Sequence, residues 1–316
     1  MAFRFKLDEP ISKGFRRIGL EQIDRAEREL GAAADEELAI HETRKCLKRI
    51  RALLRLVRPG LGEAHYRAEN ARYREIARQL SPARDSFVLC ETVRKLESAP
   101  GFARSAALAA VKKILEENRQ SAPTMPDRRT KEVLAKLGAA KKRLRRFSLK
   151  PQGFTTIGRG LEASYRKGRR AFAAAYAGGG DEVFHECRKS VQQHWRHMAL
   201  LSYTWPDLFN ARVAAARELS QILGDEHDLS ILIEFIRTVP AQRLAAAHAR
   251  EIQRVARARQ KDLRKAAEPR GAQLFAEGAK GLSRRVGLMW HAARKIDRGV
   301  DEAAQASAAQ LMKKPA

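Results

Sequence analysis

Cysteine is scarce in this chain: three residues in 316, at positions Cys46, Cys90 and Cys187. They form neither a C-x-x-C pair nor a disulfide framework, which places the expected setting in a reducing cytoplasm. Aromatic residues make up 6%, few for a protein that would stack the bases of single-stranded nucleic acid. No stretch approaches the ~18 uninterrupted apolar residues of a membrane span. The first ten residues mix Arg4, Lys6, Asp8 and Glu9, and no apolar signal core follows them. A G-x-x-x-x-G-K-[ST] phosphate loop is missing. So is H-E-x-x-H, because the fourth residue after His41 is Lys45 and the fourth after His185 is Lys189. His185 and His194 fall on opposite sides of one helix and cannot chelate one ion from it, so no metal is expected. The basic segments carry no clustered acids of the kind that hold catalytic metals on phosphate, so no enzyme and no cofactor is expected either.

Ala, Leu, Arg, Glu and Lys are abundant and β-branched runs are rare, a balance that favours helix over strand. Hydrophobic residues reach 44%, enough for a packed core. Acids are outnumbered: Lys and Arg total 63 against 37 Asp and Glu, a net charge of +26. Residues 1–150 hold 35 basic and 20 acidic side chains, and residues 151–316 hold 28 and 17. The excess therefore belongs to the whole chain and not to a detachable tail. Such a chain repels itself unless it meets a polyanion: nucleic acid, an anionic membrane surface or polyphosphate. The basic segments lack the Trp- and Phe-rich face of an interfacial helix.

Three short segments recur in the same order. Gly14-Phe15-Arg16-Arg17-Ile18-Gly19 returns as Gly153-Phe154-Thr155-Thr156-Ile157-Gly158. His41-Glu42-Thr43-Arg44-Lys45 returns as His185-Glu186-Cys187-Arg188-Lys189. Leu80-Ser81-Pro82-Ala83-Arg84-Asp85 returns faintly as Leu223-Gly224-Asp225-Glu226-His227-Asp228. The chain reads as a duplication with its joint near Pro151. In each half, a first helix ends at Gly31 or at Gly178-Gly179-Gly180, and Asp35 or Asp181 is placed to cap the second. Pro59-Gly60 and Trp205-Pro206 are expected to stop the second helices. A third helix in each half should run to Leu80 or Leu223 and break before a fourth near Arg84 or His227. Further interruptions are expected near Pro123–Pro126 and Pro269–Gly271. The fold class is all-α, an antiparallel helical bundle in two halves.

The second helix of half one carries the chemistry. With His41 as zero on a wheel of ~100° per residue, Arg44, Lys48, Arg51 and Arg55 fall at roughly 300°, 340°, 280° and 320°. Leu47, Ile50, Leu54 and Val57 take the opposite side. A solvated face usually mixes signs, yet no acid follows Glu42 until Glu63. A row of like charges is best explained by an anionic partner. The matching helix keeps His185, Arg188 and Lys189. It has Gln192, Trp195 and Ala199 in place of Lys48, Arg51 and Arg55, and Arg196 restores one charge. In the third helices Arg74 and Arg78 share a face. Arg217 follows Arg74 in the repeat register, and His227 follows Arg84. Asp85 and Asp228 are read as capping or orienting groups. Guanidinium pairs and ammonium charges repeated every turn suit a chain of phosphates, and histidine adds a pH-dependent donor.

These segments resemble the CHAD family, the conserved histidine α-helical domain. HETRKCLKRIRALLRL and FHECRKSVQQHWRHM look like its two histidine helices, and QLSPARDSFVL and ILGDEHDLSIL like the segments after its third helices. The resemblance covers nearly the whole chain. It implies one domain over residues 8–300, with halves at 8–150 and 151–300 related by a pseudo-twofold around a basic groove or pore; the Ala-rich residues 301–316 are expected to form a frayed tail. It also implies binding of inorganic polyphosphate and a place at polyphosphate granules. The binding candidates are His41, Arg44, Lys45, Lys48, Arg51, Arg55, Arg74, Arg78, Arg84, His185, Arg188, Lys189, Arg196, Arg217 and His227. The alternative is a basic helical protein that reads the phosphate backbone of nucleic acid. Weaker binding of nucleic acid or nucleotides is compatible with either. The residues specify no oligomeric state.

Overall fold

A computed structural model describes residues 3–31, 35–80, 82–97, 102, 105–120 and 127–312; the side chains of 82–87, 127 and 300–312 lie outside that description. Among the described residues there are eleven α-helices, one short 3-10 turn at Ser202–Thr204, and no strand. The helices are α1 (Ile11–Gly31), α2 (Glu36–Leu61), α3 (Glu63–Gln79), α4 (Pro82–Leu96), α5 (Ala106–Gln120), α6 (Asp127–Arg146), α7 (Phe154–Tyr176), α8 (Asp181–Leu200), α9 (Pro206–Thr238), α10 (Ala246–Leu274) and α11 (Ala279–Met312).

Helix α2 is the axis of the fold, packed by α1, α3, α7 and α8. Asp35 caps it, its carboxylate accepting the Leu38 N–H at 3.1 Å. Leu47, Ile50, Leu54 and Val57 are buried as their spacing predicts, and Ala52, Leu53 and Leu56 are buried too. A helix enclosed on so many sides leaves its polar row only an internal space to face. Gly62, at φ +84°, makes the turn into α3 that an L side chain would resist. Gly160 of α7 lies so close to α2 that a Cβ there would overlap the Leu56 carbonyl oxygen.

Two apolar cores form. The first draws on α1, α2, α3, α6, α7, α8 and the first half of α9, and is closed by Phe275, Leu282 and Trp290. The second lies among α4, α5, α10 and the second half of α9. Each core takes residues from both sides of Pro151. Helix α9, 33 residues and so about 50 Å long at 1.5 Å per residue, belongs to both.

Several expected boundaries fall elsewhere. Helix α2 passes through Pro59 and ends at Leu61. Helix α9 runs unbroken across Leu223–His227, because one interior glycine costs only about 1 kcal/mol and Leu219, Leu223, Leu229 and Leu232 are buried on either side of it. Helix α10 continues through Pro269, with Ala267 and Gly271 packed beneath. Asp181 does not cap α8; Gly180 holds that position, and the Asp181 carboxylate accepts from Arg257 and Arg264 instead. Helix α11 continues past Asp301 to Met312.

Candidate functional site

The polar row of α2 meets α3, α7, α8 and α9 around a cavity of about 680 Å³. Helix α2 contributes Arg44, Lys48, Arg51 and Arg55, all half-buried, while the flanking Lys45 and Arg58 are exposed. Helix α3 adds Arg74. Helix α7 adds Lys167, and α8 adds His185, Arg188, Lys189 and Arg196. Helix α9 supplies His227. Among the described residues, nine Arg or Lys side chains thus face two carboxylates, Glu186 and Asp228. Glu186 is engaged by Lys167 and Lys189.

The Arg51 and Arg55 guanidiniums of α2 are oriented by neutral partners. Arg51 Nε donates to Asn70 Oδ1 at 3.0 Å. Arg55 Nε donates to the Tyr66 hydroxyl at 3.3 Å, and its Nη1 to Gln193 Oε1 at 3.1 Å. Arg44 Nη1 donates to the Ala77 carbonyl at 2.7 Å. Arg196 is 8% exposed, donates to the Gln192 carbonyl at 2.8 Å, and lies 4.3 Å from the centre of the Trp195 ring. Among the described residues no carboxylate comes within ion-pair range of Arg51, Arg55, Arg74 or Arg196. Neutral acceptors fix geometry without cancelling charge, so the positive potential is left for a ligand.

The electrostatic cost is visible in the titration of these groups. Burial, with Arg55 and Arg74 close by, brings Arg51 down to about 10. Burial brings Arg196 down to about 9, with further repulsion from Arg49, Arg217, Arg188 and Arg51. Both stay charged near neutral pH; the shift shows how unfavourable their surroundings are without an anion. The rings of His185 and His227 stack with centroids 3.9 Å apart. Burial and then His185, Arg188 and Lys189 hold His227 down to about 3; burial, Lys189 and Arg188 lower His185 as well. Both shifts favour the neutral imidazole.

Ten of the fifteen sequence candidates come together here: Arg44, Lys48, Arg51, Arg55, Arg74, His185, Arg188, Lys189, Arg196 and His227. His41, Lys45, Arg78 and Arg217 do not line the cavity. Lys45 pairs with Glu42, the exposed Arg78 pairs with Glu75, and Arg217 lies 4.8 Å from the Trp195 ring centre. The side chain of Arg84 lies outside the described residues, as does that of Asp85. Asp228 lines the cavity. Lys167 escaped sequence reasoning. Its signal was Gly160: Ser164 and Lys167 follow it at i+4 and i+7, on the face that Gly160 turns to α2. A second cavity of about 550 Å³ shares Arg55, Ser164 and Lys167 with the first and extends past Arg58 and Tyr66.

His194 and His197 are wholly internal. His194 Nε2 accepts from Arg212 Nε at 3.0 Å, and His197 Nε2 lies 3.1 Å from the Ala52 carbonyl oxygen and against the Gln193 side-chain amide. No cluster of three His, Cys, Asp or Glu with metal-holding geometry occurs among the described residues. Nor, among them, is any helix long and apolar enough to cross a membrane.

The model of the CHAD domain family matches residues 17–237, some two-thirds of the chain and all of the cavity-lining helices. The chain belongs to the CHAD domain family. Its fold is similar to the crystal structure of the CHAD domain from the plant Ricinus communis, with a TM-score of 0.58 and 18% sequence identity over 86% of this chain and 94% of that one. At that identity the likeness speaks for the fold alone. A search among curated proteins found no match. Within this CHAD domain the two recurring His-Glu-x-Arg-Lys segments of the sequence lie on α2 and α8. Of their leading histidines, His185 enters the cavity and His41 stays outside its lining.

Proposed function

We propose that this CHAD protein binds inorganic polyphosphate in the α2–α8 cavity, does no chemistry on it, and associates through it with polyphosphate granules in the cytoplasm. The observation that carries the reading is the charge of the lining: among the described residues, nine cations stand against two carboxylates, and Arg51, Arg55, Arg74 and Arg196 have no acid partner. A linear phosphate chain places a negative charge every few ångströms, and the row from Arg44 to Arg55 spans 11 residues, about 17 Å. It could hold several units at once. The recurrence of the α2 motif in α8, which lines the same cavity, supports a groove built by two related halves.

Nucleic acid is the rival polyanion. Among the described residues the lining has no Phe, Tyr or Trp on which a base could stack, and its described acids, Glu186 and Asp228, stand among cations rather than reading donors on base edges. A site for metal-assisted phosphoryl transfer would need clustered carboxylates, and Glu186 is already held by two lysines.

The test is a calorimetric titration with tripolyphosphate and with a chain of about a hundred units, each at low and moderate salt. Binding by rows of cations releases counterions, so affinity should fall steeply with salt, and the long chain should bind far more tightly than tripolyphosphate. Arg51→Glu with Arg55→Glu should abolish most of that affinity while preserving helicity. Tripolyphosphate equal to the long chain per site, with little effect of salt, would replace the groove with a compact pocket for a small phosphorylated metabolite. DNA displacing polyphosphate at physiological salt would favour the nucleic-acid reading.

A further inference from the structure

A second row of cations lies outside the cavity, on α10, beyond residues 17–237 that match the family model. Helix α10 carries eight basic and three acidic residues. Ile252, Ala256, Leu263 and Ala267 turn inward and are buried. On the other side Arg250, Arg254, Arg257, Lys261 and Lys265 follow at spacings of 4, 3, 4 and 4. At ~100° per residue they occupy an arc of about 80° and a length of about 22 Å, comparable to the row on α2. All five are exposed. Arg250, Arg254, Lys261 and Lys265 form no ion pair among the described residues. Of the acids on this helix, Glu251 is taken by Ser105, Asp262 lies off the row, and Glu268 stands at its C-terminal end.

The row is linked to a helix of the cavity lining. Arg257 donates to Asp181 at 2.8 Å, and the same carboxylate accepts from Arg264, which also holds the buried Glu226. Asp181 opens α8 one turn before His185, whose ring lines the cavity and stacks on His227. The middle of the α10 row therefore sits about one helical turn from the part of the cavity lining where the histidine pair stands.

We infer that the outer face of α10 is an external track for a polyphosphate chain that emerges from the cavity past His185 and His227. The proposal rests on the polyphosphate reading of the cavity. It assigns α10 a role that short phosphates do not use: each cation of the track meets only phosphates that the cavity cannot hold. The row's spacing repeats about every 6 Å along the helix, so a flexible polyanion can engage several members without adopting one fixed conformation.

The test uses the full chain with Arg254→Ser, Lys261→Ser and Lys265→Ser together, three exposed positions that carry no ion pair. A charge-keeping control exchanges Arg254→Lys, Lys261→Arg and Lys265→Arg. Titrations compare tripolyphosphate, a chain of about a hundred units and a DNA duplex. The serine variant should bind tripolyphosphate within about twofold of wild type, bind the long chain at least tenfold more weakly, and show a shallower dependence on salt. The control should bind the long chain as wild type does. Wild-type protein with no affinity for either phosphate overturns the cavity reading and the track with it. Intact cavity binding with unchanged long-chain affinity in the serine variant overturns the track alone. So does a loss confined to DNA, or an equal loss for both phosphates.

Discussion

Replacing Arg196 with methionine should make the empty protein more stable and the loaded protein less so. Arg196 is nearly inaccessible, and among the described residues no carboxylate reaches it. Its fall from 12.5 to about 9, at about 1.36 kcal/mol for each pH unit, bounds the penalty on the charged form at about 5 kcal/mol. Methionine keeps most of the volume and needs no counter-charge. Against the relief stand the contact with Trp195, about 1 kcal/mol for a cation over an aromatic ring, and the bond to the Gln192 carbonyl, about 1 kcal/mol more. Because buried charges relax part of their penalty through water and local motion, a net gain of about 1–2 kcal/mol is expected. For a chain of this size that raises the melting temperature by roughly 2–6 °C. The assay is thermal unfolding of wild type and Arg196→Met, with and without long-chain polyphosphate at low salt. Without ligand the variant should melt higher. With ligand the wild type should gain more, because the anion supplies the missing counter-charge. A variant that melts lower without ligand, or gains as much from polyphosphate as wild type, would refute the argument that Arg196 is kept at a cost for the sake of an anion.

Acidification should destabilise the fold before the carboxylates titrate. His197 is buried and held down to about 3 by burial, against an ordinary 6.5. Its neutral form is the native one, so its contribution is complete above pH 6.5 and is lost as pH falls toward 3; at pH 5 the loss is about 2 kcal/mol. His194 shifts the same way. Urea midpoints at pH 7.5 and pH 5 measure this, and a midpoint that holds steady or rises would contradict it. Gly160→Ala should separate α7 from α2, since the added methyl overlaps the Leu56 carbonyl oxygen. A loss of roughly 2–3 kcal/mol by chemical denaturation is expected, together with weaker long-chain binding, because Lys167 and Ser164 ride on the same face; unchanged stability would show that the helices part at no cost.

The helical class, the apolar faces and the row Arg44, Lys48, Arg51 and Arg55 were legible in the sequence, because a helix repeats every 3.6 residues and places such positions together whatever surrounds them. The Asp35 cap was legible for a similar reason: it is a local contact between a carboxylate and an N–H three residues on. Other decisions were made in three dimensions. Lys45, Arg78 and Arg217 carry the same charge as their neighbours but point elsewhere, because Glu42, Glu75 and Trp195 lie beside them. Arg196 looked like a remnant in a depleted row, and the packing of α8 made it one of the most buried cations of the site. Lys167 had no basic row to announce it and joined the cavity only through the crossing of α7 over α2 at Gly160. The continuity of α9 was decided by burial on two cores, which outweighs the weak local break at Gly224. Local periodicity determines which side chains share a face of one helix; what that face looks upon, and whether a charge on it meets water, a carboxylate or an empty cavity, depends on how distant helices pack.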